Sequence, residues 1–146
     1  MASLAEHWAY LEAEWQAAQA APLSLRRAML VAALLDAFAD RLFAAAPEAD
    51  DILVFRAEFA AAAPELGLVF ELCAQRGGGP GLAVEAVSVP TSDLGGLQVE
   101  DFMVSLYNDH TVQRVVVAWP DGTRRLAHDV LAEAMKGLDG RGSAGQ

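Results

Sequence analysis

The sequence predicts an α+β fold, in which about three to four N-terminal helices pack on one face of a small antiparallel sheet and a further helix closes the chain. Two observations predict it. Up to Arg76, apolar residues recur at the three- and four-residue spacing of amphipathic helices. Beyond that point they recur at the two-residue spacing of strands, in three segments: 82–89, 100–107 and 111–119.

The segment GGGPG at 77–81 lies between these two regions and is typical of a flexible joint. A chain of 146 residues is most simply one domain. We therefore expect a single α+β domain over 1–139. Its helical half is 1–76 and its sheet with the closing helix is 82–139, followed by a disordered tail over 140–146.

Two amphipathic helices are predicted first. In the segment 4–20 one helix face holds the apolar positions Leu4, Trp8, Leu11 and Trp15. Pro22 ends this helix, and Ser24 is a typical N-cap residue for the next one. The second helix is expected over 25–46 in a central position, because its apolar face is wide: Val31, Leu35, Phe38 and Leu42, flanked by Met29, Leu34 and Phe43.

Two shorter helices are expected next. Asp50 or Asp51 is expected to cap a helix that runs to about residue 62. Its apolar face continues through Ile52, Phe55 and Phe59. Pro64 interrupts this helix, and the following one is expected to run to about Arg76.

The segments 100–107 and 111–119 are expected to pair as a hairpin whose turn centres on Asp109 and His110. Alternation along the strands then defines two faces. One face is apolar and is expected to contact the helices: Phe102, Val104, Leu106, Val115, Val117 and Trp119. The other face is mixed and is expected to be partly solvated or to contact a partner. On it Tyr107 opposes Val112, Ser105 opposes Arg114 and Met103 opposes Val116.

The end of the chain predicts a second turn, a short strand and a helix. In the turn WPDG, Gly122 can take a positive φ. The segment RRLA is a candidate strand, and the closing helix is expected over 128–138. Arg124 and Arg125 on this arm are interpreted as solvated, with an anion site as the alternative.

The mixed face carries the candidate ligand-binding residues Arg114, Tyr107, Ser105 and His110. The guanidinium of Arg114 offers a planar fork of donors that fits a carboxylate or a phosphate. A catalytic triad is not favoured, because Asp109 and His110 are neighbours in a tight turn and their side chains diverge. No GxSxG motif surrounds Ser105 either. The simpler interpretation is that Asp109 and His110 are turn residues.

The composition excludes several classes of partner. The formal net charge is −10, and the N-terminal half holds most of the acid excess. Non-specific nucleic-acid binding and binding to an anionic membrane both draw on Lys and Arg, so we expect neither. A charged partner would present a basic surface. With no secretory leader and no long apolar run, the sequence favours a cytoplasmic protein, and its use of Ala, Gly and Arg indicates a GC-rich bacterial source.

Metal, thiol and cofactor chemistry are not favoured. Cys73 lies in an apolar run and is expected to be a buried, inert thiol. The histidines show no HxH or HExxH spacing, and His128 is interpreted as incidental beside Asp129 at a helix start. A carboxylate cluster of Asp36, Asp40 and Glu58 is expected to pair with Arg56 or Arg41 rather than with metal ions. We expect no metal and no cofactor.

The favoured function is therefore a small binding or regulatory module that acts through protein–protein contacts. The alternative is a small enzyme, or a sensor of an anionic metabolite, that uses the mixed sheet face around Arg114. The two differ structurally, because a sensor or enzyme needs a concave pocket and a protein-binding module needs a flat or aromatic patch. Trp8 and Trp15 on the first helix, together with the mixed face of the sheet, predict a symmetric homodimer, because an exposed aromatic stripe is costly unless it is covered.

Overall fold

The computed structural model of the chain describes residues 3–88 and 111–139. In these ranges it contains five helices and a three-stranded antiparallel sheet, and it confirms the predicted α+β class. Four helices precede the sheet and one follows it. The elements are α1 (Leu4–Gln19), α2 (Leu25–Ala44), α3 (Ile52–Ala62), α4 (Pro64–Ala74), β1 (Gly81–Ser88), β2 (Thr111–Ala118), β3 (Arg124–Leu126) and α5 (Ala127–Leu138).

The predicted helix starts are confirmed by their caps. The Ser24 hydroxyl accepts a hydrogen bond from the backbone N–H of Arg27 at 3.1 Å, and Asp51 accepts one from Leu53 at 2.9 Å. These bonds satisfy N–H groups that have no partner within the helix. Pro64 occupies the first turn of α4, where its missing N–H costs nothing.

The core forms where α2 meets the other elements, as its wide apolar face predicts. Val31, Leu35 and Phe38 on α2 are all 0 % exposed. α1 packs beside α2, with Trp8 and Leu11 in the core and Trp15 packed against it. Trp8 is thus buried and Trp15 is partly buried by their own chain, which removes the predicted exposed stripe as an argument for a homodimer.

β2 is the central strand, with β1 on one edge and β3 on the other. Its predicted apolar face is confirmed, because Val115 and Val117 lie in the core with the helices and Trp119 packs against it. β3 pairs only with the end of β2, and its last residue, Leu126, lies opposite Val116. The turn before β3 contains Gly122 at φ 97°, as its place after Pro-Asp predicts.

The mixed face of the sheet differs from the partly solvated surface that the sequence predicts. Val112 and Val116 are 0 % and 1 % exposed, so this face is buried at its centre. On β1 the partner of Arg114 is Glu85, and Val116 lies between Ala83 on β1 and Leu126 on β3. The pairing of two strands that are distant along the chain leaves no local signal in the sequence. A short turn between neighbouring strands does leave one.

Other predictions fall beyond the part of the chain that the structure describes. The strand at 100–107, its turn at Asp109 and His110, and the tail at 140–146 all lie outside the described residues. Among the helices that are described, none combines the length and the apolar character needed to cross a membrane.

Candidate functional site

A cavity of about 230 Å³ lies where the bend between α1 and α2 meets β2 and the start of α5. Five elements contribute to its wall, α1, α2, β2, β3 and α5, so it is a feature of the packed fold and not of one loop. Its described lining residues are Trp15, Ala18, Gln19, Ala21, Pro22, Ser24, Ala28, Arg114, Val115, Leu126, Ala127, His128 and Leu131. Most are apolar, and a few polar groups converge among them, as in small-ligand sites.

Arg114 reaches the cavity from the edge of β2. Because β3 ends opposite Val116, the edge of β2 at Arg114 carries no strand among the described residues. The Nη1 atom of Arg114 donates a hydrogen bond to the backbone carbonyl of Gln113 at 2.8 Å, which orients the guanidinium. The side chain is half-buried, in a position where a charge interacts more strongly than it does in bulk water.

Trp15 and His128 form the aromatic part of the wall. Their rings are stacked, with centroids 5.2 Å apart and planes 29° from parallel. A second hollow, of about 290 Å³, lies towards the C-terminal end of α5, and Trp15, Gln19 and His128 line both spaces. The stacked pair therefore separates two neighbouring hollows. His128 is exposed at the start of α5, and its ring lines both hollows.

The wall of the cavity offers hydrogen-bond donors. Arg114 contributes its guanidinium, and the first turn of α5 contributes backbone N–H groups, since Leu126 at its N-cap has no side-chain acceptor. Among the described lining residues none is acidic. Ser24 is already used as a helix cap, which leaves His128 and Gln19 as further polar groups of the wall.

Of the four predicted ligand-binding residues, the structure describes one. Arg114 lines the cavity. Ser105, Tyr107 and His110 lie outside the described residues, so their grouping with Arg114 stays a prediction. Trp15 and His128 were missed, because they come from opposite ends of the chain and only tertiary packing brings them together.

The predicted pairing of Arg56 with the aspartates of α2 is confirmed. Its guanidinium contacts the Asp36 carboxylate and donates a hydrogen bond to the Asp40 carboxylate at 2.8 Å. The Cζ atom of the same guanidinium lies 4.0 Å from the ring centre of Phe70. An arginine in this position occupies the carboxylates that a metal would need. Within the residues described, no group of three or more potential ligands could hold a metal ion.

The alternative of an anion site at Arg124 and Arg125 is not supported, since both side chains pair with carboxylates. The Nε atom of Arg124 lies 2.9 Å from both carboxylate oxygens of Glu85 on β1. Arg125 lies 3.5 Å from Glu65 on α4. These pairs fasten β3 to β1 and to the helical layer.

His7 is a buried polar residue that the sequence reasoning missed. It is 7 % exposed, its Nε2 lies 3.2 Å from the carbonyl of Leu34, and its Nδ1 lies 3.3 Å from Nη1 of Arg41. Burial lowers the pKa of His7, and the nearby Arg41 charge lowers it further. A signal was present, because His7 falls on the same helix face as Leu4 and Leu11.

Cys73 behaves largely as predicted. It is half-buried against the core, and burial raises the pKa of its thiol to about 11, so the thiol stays protonated near neutral pH. A protonated thiol is a weak nucleophile and a weak metal ligand. Cys73 is therefore a packing residue.

The fold and the cavity together define a small α+β protein with a mainly apolar hollow, lined by Arg114, beside the central strand of its sheet. Comparison with models of protein families found no match. Comparisons with curated proteins and with solved structures found none either.

Proposed function

We propose that the protein is a binding protein that holds a small organic anion in the Arg114 cavity. The observation that carries this proposal is the position of an arginine side chain in a mainly apolar cavity wall. Arg114 lines the cavity, and most of the described lining residues are apolar. A guanidinium in such a wall offers hydrogen-bond donors that suit an anion.

The lining chemistry supports binding more than catalysis. A nucleophile needs an adjacent base to activate it. Ser24 carries the only hydroxyl among the described lining residues, and this hydroxyl caps α2. The cavity supports the alternative function predicted from the sequence, a sensor of an anionic metabolite, because such a sensor needs a concave site. In this proposal Arg114 anchors the anion and His128 is a further polar group of the wall.

Replacing Arg114 with alanine is expected to remove anion binding and to leave the fold intact. Charge-assisted hydrogen bonds contribute about 1.5–3 kcal/mol, so affinity should fall by at least about tenfold. A thermal-shift screen of carboxylates, phosphates and sulfonates on the wild type identifies ligands, because a ligand that binds only the folded state raises the melting temperature. Titration calorimetry then compares the variants, and circular dichroism checks the fold.

The matched control is Arg76→Ala, which removes the same charge from an exposed position after α4. This variant should keep the affinity of the wild type. If no anion binds the wild type, or if Arg114→Ala binds as tightly as Arg76→Ala does, the cavity is not the proposed site.

A second candidate function, self-association as a protein-binding module, is favoured by a groove on the other side of α2. This shallow groove, of about 680 Å³, is lined by Glu14, Arg26, Arg27, Met29, Leu30 and Ala33. Leu30 is 41 % exposed in it, and Leu23 and Leu25 at the preceding bend are 44 % and 41 % exposed. Apolar side chains grouped on a surface favour contact with another protein.

If this groove forms a homodimer, the purified protein should have twice the mass of one chain in light scattering at micromolar concentration. Leu30→Glu should then give a monomer, because it places a charge in an apolar contact. Leu53→Glu is the matched control, since Leu53 is 75 % exposed on α3 and does not line the groove. A monomeric wild type would refute the homodimer.

A further inference from the structure

We propose that the outer face of α3 binds a basic amphipathic helix of another protein. This face consists of Leu53, Val54, Ala57, Glu58 and Ala61, all of which are exposed. None of the five is among the described residues that line the Arg114 cavity or the groove on α2, so the inference rests on neither function proposed above. The apolar stripe of the partner helix would pack on α3, and its lysine or arginine side chains would lie against neighbouring carboxylates.

α3 is apolar on nearly every side. Of its 11 residues, only Arg56 and Glu58 carry a polar side chain. Arg56 does not make the outer face polar, because its guanidinium contacts the aspartates of α2. A helix that is apolar all round is normally buried on all sides. α3 departs from this rule, since Leu53 is 75 % exposed and Val54 is 53 % exposed, and grouped apolar side chains on a surface favour contact with a partner.

Carboxylates beside this face determine the charge of the partner. Glu48, Asp50, Asp51 and Glu58 are exposed, and together with Val54 they line a shallow hollow at the start of α3. Opposite charges across an interface favour association and select among partners. A lysine or arginine of the partner suits this hollow, because its aliphatic stem can pack on Val54 while its charged end reaches a carboxylate.

An aromatic ring adds to the attraction for a cation. Phe55 lines the same hollow, and T-shaped contacts with Phe43 and Phe59 hold its ring, with centroids 5.5 Å and 4.9 Å away. Arginine and lysine are attracted to aromatic rings. The protein already combines these contacts internally, since Arg56 lies over Phe70 and pairs with two carboxylates of α2.

The same carboxylates disfavour two other occupants of the face. A symmetric dimer through α3 would bring the acidic side chains of both copies to one interface, where like charges repel. A membrane surface that carries anionic lipids would be repelled in the same way. A helix that carries basic residues beside an apolar stripe matches both features of the face.

Fluorescence anisotropy with labelled synthetic peptides of about four helical turns tests the inference. The probe peptide contains lysine, alanine and leucine, with the leucines at three- and four-residue spacing so that they form one stripe. One control peptide has glutamate in place of lysine, and another has the composition of the probe in an order that disperses the leucines. The wild type should bind the probe at least about tenfold more tightly than either control, because each control loses one of the two complementary features.

A pair of matched leucine variants locates the site. Leu53→Ser should weaken binding of the probe at least about fivefold, because it removes apolar contact surface. Leu23→Ser changes a leucine that is 44 % exposed at the bend before α2, and it should keep the affinity of the wild type. Circular dichroism checks the fold of both variants.

A second pair of variants tests the role of the carboxylates. The double variant Glu48→Gln/Glu58→Gln should weaken binding of the probe, and the loss should shrink in high salt, which screens exposed charges. The control, Glu12→Gln/Glu71→Gln, removes the same charge from exposed positions on α1 and α4 and should have a smaller effect.

Several outcomes would overturn the inference. Equal binding by Leu53→Ser and Leu23→Ser would show that α3 is not the site. Equal losses in the two double variants would mean that the probe responds to the overall charge of the protein. The inference is also wrong if the probe does not bind the wild type, or if Leu53→Glu and not Leu30→Glu converts a dimer into a monomer, because a second copy then covers α3.

Discussion

Truncation of Phe38 to alanine is expected to lower the free energy of unfolding by about 3–5 kcal/mol. Phe38 is 0 % exposed on α2, and its ring contacts the rings of His7 and Trp8 on α1, with centroids 5.2 Å and 5.5 Å away. The substitution removes buried apolar surface and leaves a cavity between the two helices. Domains of this kind are stable by only about 5–15 kcal/mol, so a substantial part of the stability should be lost.

Urea denaturation followed by far-ultraviolet circular dichroism measures this change. The control is Leu53→Ala on α3, which removes a side chain that is 75 % exposed and should change the stability by less than about 0.5 kcal/mol. A Phe38→Ala protein as stable as Leu53→Ala would show that α1 and α2 do not pack through Phe38.

Local patterns account for the part of the fold that the sequence predicted correctly. A helix is specified by the spacing of its apolar residues and by the residues at its ends, and both are read within one segment. Ser24 and Asp51 cap the helices that the sequence assigned to them, and Gly122 takes the positive φ that its turn requires. The face of β2 that meets the helices followed from alternation alone, with Val115 and Val117 in the core.

Strand partners and the cavity could not be predicted in this way. β2 pairs along its length with β1, from which it is separated by many residues, and no local signal specifies such a ladder. The cavity joins Trp15 from α1 to Arg114 and His128 from the second half of the chain. Of these three residues, the sequence pattern predicted only Arg114 as a ligand-binding residue, because it falls on the mixed face of the strand and its guanidinium fits an anion.

Acidification below about pH 6.5 is expected to destabilise the protein through His7. The guanidinium of Arg41 can only donate a hydrogen bond, so Nδ1 of His7 must accept it and carries no proton. The proton of the neutral ring is therefore on Nε2, which donates to the Leu34 carbonyl. Protonation would place a hydrogen on Nδ1 facing Arg41, which breaks one bond and brings two positive charges together in a buried position.

The protein loses stability in acid because the pKa of His7 is lower in the folded chain than in the unfolded chain. In the unfolded chain His7 has the ordinary value of about 6.5, and in the folded chain burial holds the pKa below it. Well above pH 6.5 His7 is neutral in both the folded and the unfolded chain, and its contribution to the free energy of unfolding is complete. As the pH falls from 6.5 towards the folded pKa, the unfolded chain binds the extra proton, and stability declines by at most about 1.4 kcal/mol per pH unit.

Urea denaturation of the wild type and of His7→Phe between pH 7.5 and pH 5.5, two values on either side of about 6.5, measures this contribution. Phenylalanine keeps a ring of similar size against Phe38 and cannot titrate, so the difference in slope between the two proteins isolates His7 from the carboxylates. We expect the stability of the wild type to decline more steeply over this range. Equal slopes would mean that His7 accepts a proton as readily in the folded state as in the unfolded state, contrary to its contact with Arg41.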